Sequence, residues 1–220
     1  MIVEIHKNVL AGNEATAQAN RELFRRHGVK VLNLLGSPGA GKTSFLEATL
    51  SELAAQYRVG VIEGDLSTAL DAERIASLGV PVVQINTQGG CHLDSRMIAA
   101  VLPRFDLASL DLLVIENVGN LVCPAAFDLG EDLKVVVLSV AEGGDKPAKY
   151  PRTFLEAEAV IINKIDLLPF TDVDLPAVTA ELLKVNPRLA VFPVSCREKR
   201  GFEPWHRWLE ERLFGRRGEV

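Results

Sequence analysis

Residues 31–44 read VLNLLGSPGAGKTS, an apolar run that passes directly into a glycine-rich loop and then into an amphipathic stretch. Strand, loop and helix in that order are what the phosphate-binding pattern G-x-x-x-x-G-K-[ST] requires, and Gly36 to Thr43 fill all eight of its positions. Gly36, Gly39 and Gly41, with the small Ala40 between them, let successive N–H groups curl toward phosphate oxygens, and the helix N-terminus adds its dipole. Lys42 supplies a mobile positive charge for β- and γ-phosphates. Thr43 offers a hydroxyl to Mg²⁺, and Ser44 one to the α-phosphate.

Outward from this loop, short apolar runs alternate with helical patterns. Val31 to Leu35, Val59 to Ile62, Val82 to Ile85, Leu112 to Ile115, Val135 to Val140, Ala159 to Ile162 and Ala190 to Val194 read as strands. Most carry apolar residues at consecutive positions, the requirement for a strand covered on both faces, so the sheet is expected to be mostly parallel. Helices are expected at Thr43 to Gln56, Asp71 to Ser77, Leu93 to Leu102, Leu175 to Val185 and Glu203 to Leu213. The fold class is therefore α/β: a mostly parallel sheet of about seven strands with helices on both faces, a P-loop NTPase. Asn13 is placed to cap a helix running to about His27, with Gly28 as its stop signal. The expected organisation is residues 1–28 as an N-terminal extension packed on the domain, 29–215 as the P-loop domain and 216–220 as a frayed tail. Pro147, Pro151 and Pro169 are read as marking loops.

Composition agrees with one active unit. The chain has 220 residues, of which 48% are hydrophobic and 24% charged, and its formal charge is −5. Nothing in that balance suggests a nucleic-acid partner. The longest apolar runs fall far short of the roughly 20 residues of a membrane helix. Met1 to Asn13 mixes charge into its apolar positions, unlike a signal peptide, so the cytoplasm is the expected compartment. Three cysteines do not make a disulfide framework; each is free, catalytic or a metal ligand.

Mg²⁺ prefers oxygen ligands, and two carboxylates stand at the ends of neighbouring strands. Asp65 follows VIEG and Glu116 ends LLVIE. Asp65 is read as a water-orienting or Mg²⁺-linked group, or as the cap of a turn. Glu116 opens Glu-Asn-Val-Gly119, in which Gly119 can turn its N–H toward the γ-phosphate. Asp71 and Arg74 are weaker candidates, since Asp71 is also a good N-cap.

The base is chosen late in the sheet, where AVII ends in Asn163-Lys164-Ile165-Asp166. A carboxylate at 166 accepts from guanine N1–H and the exocyclic amine, whereas adenine would leave it unpaired, so GTP and GDP are expected. Asn163 meets the base edge, and the stem of Lys164 covers the purine while its ammonium braces the phosphate loop. Ser195 and Cys196, in Val194-Ser-Cys-Arg197, supply the remaining base loop.

Cys91 and His92 are adjacent in Gly89-Gly-Cys-His92, and Cys123 lies seven positions past Glu116. Two thiolates and an imidazole suit Zn²⁺ or Ni²⁺ and are too soft for Mg²⁺ or Ca²⁺. Three donors leave such a site incomplete, and a two-fold interface would bring two sets together. The same residues also read as two ordinary buried cysteines and a loop histidine. Glu116 and Cys123 share one segment, so nucleotide state and metal affinity are expected to be coupled. Pro124 is expected to hold Cys123 in extended geometry.

Taken together, IVEIHKNVLAGNEATAQANR, GSPGAGKT, EGDLSTALDAER, INTQGGCH, ENVGNLVCPA, EGGDKPAKYP and NKIDLLP resemble the HypB family of hydrogenase-maturation GTPases over nearly the whole chain. The resemblance implies a SIMIBI-class, metal-dependent GTPase that dimerises on GTP. It also implies nickel delivery to the large subunit of [NiFe]-hydrogenase, alongside a HypA-type metallochaperone. Under it, Cys91, His92 and Cys123 become a dimer-interface site for nickel or zinc, and Lys146 and Lys149 belong to a lysine loop that approaches nucleotide across the dimer. Met1 to Arg21 holds only His6 and no cysteine, so the terminal nickel motif of some relatives is not expected within it. No glutamine or arginine finger is placed to organise water, so turnover is expected to be slow. Two rival readings are a urease-type nickel GTPase, whose relatives use a compact Cys-Pro-His motif, and a GTP-regulated adaptor stapled by metal.

Overall fold

The computed structural model describes residues 5–65 and 70–215, so residues 1–4 of the N-terminal extension, Leu66 to Ala69 and the tail 216–220 lie outside it. Its centre is one seven-stranded sheet formed by β1 (Lys30–Gly36), β2 (Val59–Asp65), β3 (Val82–Asn86), β4 (Leu112–Glu116), β5 (Leu133–Ser139), β6 (Ala159–Asn163) and β7 (Ala190–Pro193). All neighbours are parallel, in the order β3-β2-β4-β1-β5-β6-β7. The five inner strands are buried almost end to end, which is why their sequences are continuously apolar.

Side chains alternate between two helical layers. On one face Leu32, Leu34, Val114, Val135 and Val137 pack under α2 (Lys42–Leu53), α3 (Leu70–Ala76) and α8 (Phe202–Phe214), with Phe45, Ile75 and Trp205 filling the layer. The other face is divided. Val31, Leu113 and Ile115 meet α1 (Ile5–His27) and α4 (Ser95–Val101), while Val136, Leu138 and Val160 meet α6 (Pro151–Leu155) and α7 (Leu175–Val185). The connection from β4 to β5 runs between these halves, with Leu121 in one cluster and Leu129 in the other.

Several expected boundaries move for local reasons. Asn13 is no cap: α1 begins at Ile5, and Asn13 is buried mid-helix because its amide has tertiary partners. Gly28 does end that helix, at φ +72°, with Gly28 N–H bonding Arg25 O and Val29 N–H bonding Phe24 O. The helix expected from Leu93 starts two residues later, since Asp94 caps it by accepting from the N–H groups of Arg96 and Met97. Asp71 sits inside the first turn of α3 and does not cap it. Val140 leaves the sheet for a 3₁₀ turn capped by Ser139, and Val194 lies beyond the end of β7. Pro147 and Pro151 open short helices, α5 (Lys146–Lys149) and α6, where a missing N–H costs nothing, and Pro169 lies within a 3₁₀ helix.

Candidate functional site

The phosphate loop leaves the carboxyl end of β1 and enters α2 at Lys42. Its geometry depends on Gly41, at φ +91°, where an added Cβ would lie 2.5 Å from Asn163 Nδ2. Only glycine takes that backbone conformation without strain. Asn163 Nδ2 donates to Ala40 O at 3.0 Å and Lys164 Nζ to Gly39 O at 2.6 Å, so the end of β6 is tied onto the loop. Lys42 is buried and its Nζ lies 3.4 Å from Gly36 O. Thr43 Oγ1 donates to Glu116 Oε1 at 2.8 Å, which joins the loop to β4.

Two cavities meet at Gly41, Ser44 and Lys164. One, of about 440 Å³, is lined by Pro38, Lys42, Thr43, Asp65, Glu116 and Gly119, among others. Glu63 also lines it, and sequence reasoning missed this residue. Glu63 stands level with Glu116 in the parallel register of β2 and β4, and both are almost fully buried. Glu63 Oε2 and Glu116 Oε2 have no hydrogen-bond partner among the described residues. Burial, then the neighbouring charges of Glu116 and Asp65, push the Glu63 carboxyl up to about 8. Burial pushes Glu116 up to about 7 against the pull of Lys42 and Thr43. A buried carboxylate with a free oxygen is costly unless a cation reaches it. Thr43, Asp65 and Glu116 line this cavity with Glu63 and offer it hard oxygen donors, the kind Mg²⁺ takes. The signal for Glu63 was the repeated pair VIEG and VIEN, legible once β2 and β4 are known to be neighbours.

The second cavity, of about 550 Å³, is lined by Ser44, Asn163, Lys164, Asp166, Leu167, Cys196 and Arg197, among others. Lys164 adopts φ +63°, which turns the chain sharply between Asn163 and Asp166. Ser195 Oγ donates to Asp166 Oδ1 at 2.6 Å and holds that carboxyl below its ordinary range. Asn163 Oδ1 accepts from Cys196 N–H at 3.3 Å, and burial pushes the Cys196 thiol up to about 11, so it stays a neutral thiol. Ser44 Oγ meets Arg74, which also pairs with Glu47 and Asp71. Lys146 and Lys149 are not brought to either cavity: both pair with Asp145, and Lys146 Nζ also donates to Glu142 O at 2.7 Å.

Beyond the phosphate cavity, Cys91, His92 and Cys123 come together, with one donor atom from each lying within 4.8 Å of the others. The structure brings the three donors close enough to share one ion, and Cys91 is exposed, unlike a core cysteine. Cys91 Sγ lies 3.5 Å from His92 Nδ1. A hydrogen bond with Cys123 and burial raise the Cys91 thiol, and burial lowers His92. The His92 ring stacks on Phe127 with centroids 3.9 Å apart. Cys123 is helical, at φ −63° and ψ −47°, and not extended, because Pro124 to Ala126 form a 3₁₀ turn in which Ala126 N–H bonds Cys123 O.

Asn117 joins the two centres. It follows Glu116, is 1% exposed, and its Oδ1 accepts from Leu93 N–H at 3.0 Å, directly after His92. Asn120 Nδ2 donates to Cys91 O at 3.2 Å. Gly119 packs on the phosphate loop, where an added Cβ would stand 3.0 Å from Pro38.

A parallel sheet bearing this loop on its central strand and an Asn-Lys-x-Asp turn two strands away, at the end of β6, defines a P-loop nucleotide-binding protein. Residues 30–193 match the CobW/HypB/UreG nucleotide-binding domain family. The chain is 49% identical over 209 residues to the hydrogenase maturation factor HypB of Rhizobium leguminosarum bv. viciae, covering 95% of this chain and 70% of that one. It superposes on HypB of Archaeoglobus fulgidus with TM-score 0.86 at 37% identity, covering 92% of this chain and 99% of the other. HypB of Helicobacter pylori, solved in complex with nickel, gives TM-score 0.85 at 37% identity, with 91% and 95% covered. The chain belongs to the HypB family of hydrogenase maturation factors. Among the described residues no helix is long and apolar enough to cross a membrane.

Proposed function

We propose that this protein is a slow GTPase that couples GTP binding and hydrolysis to nickel delivery during [NiFe]-hydrogenase maturation. The observation that carries the reading is the convergence of Cys91 and His92 with Cys123, which lies on the segment that begins at Glu116, itself bonded to Thr43 of the phosphate loop. In this reading Gly36, Gly39, Ala40, Gly41, Lys42, Thr43 and Ser44 cradle the phosphates. Asn163, Lys164, Asp166, Ser195 and Cys196 select guanine. Thr43, Asp65 and Glu116 would hold Mg²⁺, which when bound neutralises charge on the transferred phosphoryl group. Lys42 and the Gly119 N–H steady the terminal phosphate, and Asp65 with Glu116 orient water by accepting its protons.

Nickel, or zinc in its place, is the cargo of the Cys91, His92 and Cys123 donors. A GTP-dependent homodimer would complete the donor set from two protomers and bring Lys146 and Lys149 to the partner's nucleotide. The working context is the cytoplasm, with a HypA-type metallochaperone and the hydrogenase large subunit as partners. Residues 1–28 serve as an extension and 29–215 as the GTPase domain. The GGCH and ENVGNLVCPA loops favour this reading over the urease type and over a stapled adaptor.

Isothermal titration of Ni²⁺ and Zn²⁺ into the nucleotide-free, GDP and GTP-analogue forms tests it, with Cys91→Ala and Cys123→Ala as controls. The expected result is metal binding that depends on nucleotide and is lost in both variants. Equal affinity and stoichiometry in all three states would end the coupling.

A further inference from the structure

On sequence grounds α1 is an appendage, yet its buried face carries two amides. Asn13 and Asn20 are 5% and 3% exposed, and a buried amide persists only where partners meet it. Asn13 Oδ1 accepts from Ser95 N–H at 2.8 Å, and its Nδ2 donates to Asp128 O at 2.7 Å. Ser95 Oγ returns a bond to Asn13 O at 2.8 Å. Asn20 Nδ2 donates to Ser95 O at 2.9 Å and to Leu129 O at 3.2 Å. Arg21 closes the same region by pairing with both carboxylate oxygens of Asp128.

Both amides therefore connect the same two stretches of chain. Ser95 follows His92 by three residues, and Asp128 follows Cys123 by five. Between them the His92 ring lies on Phe127, the residue before Asp128. The separation of the loop bearing Cys91 and His92 from the loop bearing Cys123 is thus set by a span running through Asn13.

We propose that Asn13, supported by Asn20, is a positioning residue for the Cys91, His92 and Cys123 donors. The inference rests on the metal reading of those three residues and adds the N-terminal helix to the site. A metal bound by donors already in register avoids the entropic cost of ordering two loops, so a severed span weakens binding. It also strands Ser95 N–H and Asp128 O in a buried place. The nucleotide cavities hang from β1, β2, β4 and β6 and touch no residue of α1, so metal and nucleotide affinity should separate.

The experiment compares the full chain with Asn13→Ala, Asn13→Asp and Asn20→Ala. Asn13→Asp keeps the acceptor for Ser95 N–H and loses the donor to Asp128. Ni²⁺ affinity is followed by titration and by thiolate-to-nickel charge-transfer absorption, GDP affinity by a fluorescent analogue, and folding by circular dichroism. The expected result for Asn13→Ala is a roughly tenfold to hundredfold loss of Ni²⁺ affinity, the usual cost of losing an outer support, with GDP affinity within about twofold of the parent. Asn13→Asp and Asn20→Ala should fall between, and they carry the comparison if Asn13→Ala does not fold. Unchanged Ni²⁺ affinity and absorption in folded variants overturns the proposal, as does an equal loss of Ni²⁺ and GDP affinity. Parent protein that binds Ni²⁺ no better than its Cys91→Ala and Cys123→Ala variants would instead overturn the metal reading, and the positioning role with it.

Discussion

The two ends of β2 and β4 treat carboxylates in opposite ways. At their amino ends Asp111 accepts from Arg58 N–H at 2.8 Å and pairs with its guanidinium, so Arg58 holds this carboxyl down at about 2. At their carboxyl ends Glu63 and Glu116 stand side by side in the sheet register, each with one oxygen unpartnered among the described residues, and burial pushes them up to about 8 and about 7. The same pair of strands thus ends in one closed ion pair and in one open acidic cleft. A closed pair holds the fold; an open one leaves carboxylate oxygens that a cation would satisfy.

The largest break in this contrast should come from Lys42→Ala, which removes the cation that moderates Glu116 and that, in the proposed function, steadies the terminal phosphate. GTP affinity should fall roughly hundredfold, the scale for truncating one partner of a buried charge pair, while the melting temperature changes little; fluorescent-nucleotide titration and a thermal melt check both. Next come Glu63→Gln and Glu116→Gln. Each removes a charge that the empty fold disfavours, so at pH 8 the nucleotide-free protein should gain about 1 kcal/mol in denaturant unfolding, while Mg²⁺-dependent turnover in Glu116→Gln drops at least about tenfold. A loss of stability in both variants would contradict the account of the open end.

The smallest effect is the pH profile, and it has opposite signs at the two ends. Glu63 and Glu116 hold protons in the fold at pH values where the unfolded chain has released them. Their share of stability is therefore full below about 4.5 and is lost as pH rises through about 7 and 8. Asp111 behaves in reverse: its contribution is present above about 4 and disappears as pH falls toward about 2. Unfolding curves for the parent and for Asp111→Asn should diverge little near neutrality and converge in acid, whereas Glu63→Gln should flatten the profile between pH 5 and 8. Since Arg58 and Asp111 lie largely at the surface, Asp111→Asn should cost only a little stability at pH 7 and leave nucleotide affinity unchanged.

How legible each part was follows from the range of the interaction that makes it. The phosphate loop and the Asn163 to Asp166 turn are local objects defined by spacing, so their places at the strand ends could be read in the chain. The all-parallel sheet was also legible, because strands buried on both faces must be apolar throughout. Glu63 was not, since its meaning lies in the partner across the register. The donor triad was legible only as an ambiguity: His92 and Cys123 lie 31 residues apart, and no spacing rule says that they meet. Cys123 was misjudged because the preference of a residue before proline is weak beside a 3₁₀ turn that returns Ala126 N–H to its carbonyl. Asn13 resembled a helix cap, the commonest use of asparagine near a helix start, and only packing revealed it as a bridge.

Sequence alone therefore determined which backbone could curl as a phosphate-binding loop, where the Asn163 to Asp166 turn presents its amide and carboxylate, and that the strands had to lie in the middle of two helical layers. These follow from φ freedom, hydrogen-bond inventory and apolar periodicity, all properties of a few consecutive residues. Tertiary structure decided that two cysteines and a histidine converge, that two buried glutamates line one cleft, and that a helix from near the start of the chain bridges the loops bearing His92 and Cys123. Those outcomes depend on which strands are neighbours and how loops cross their ends, where free energy is gained between residues far apart in the chain.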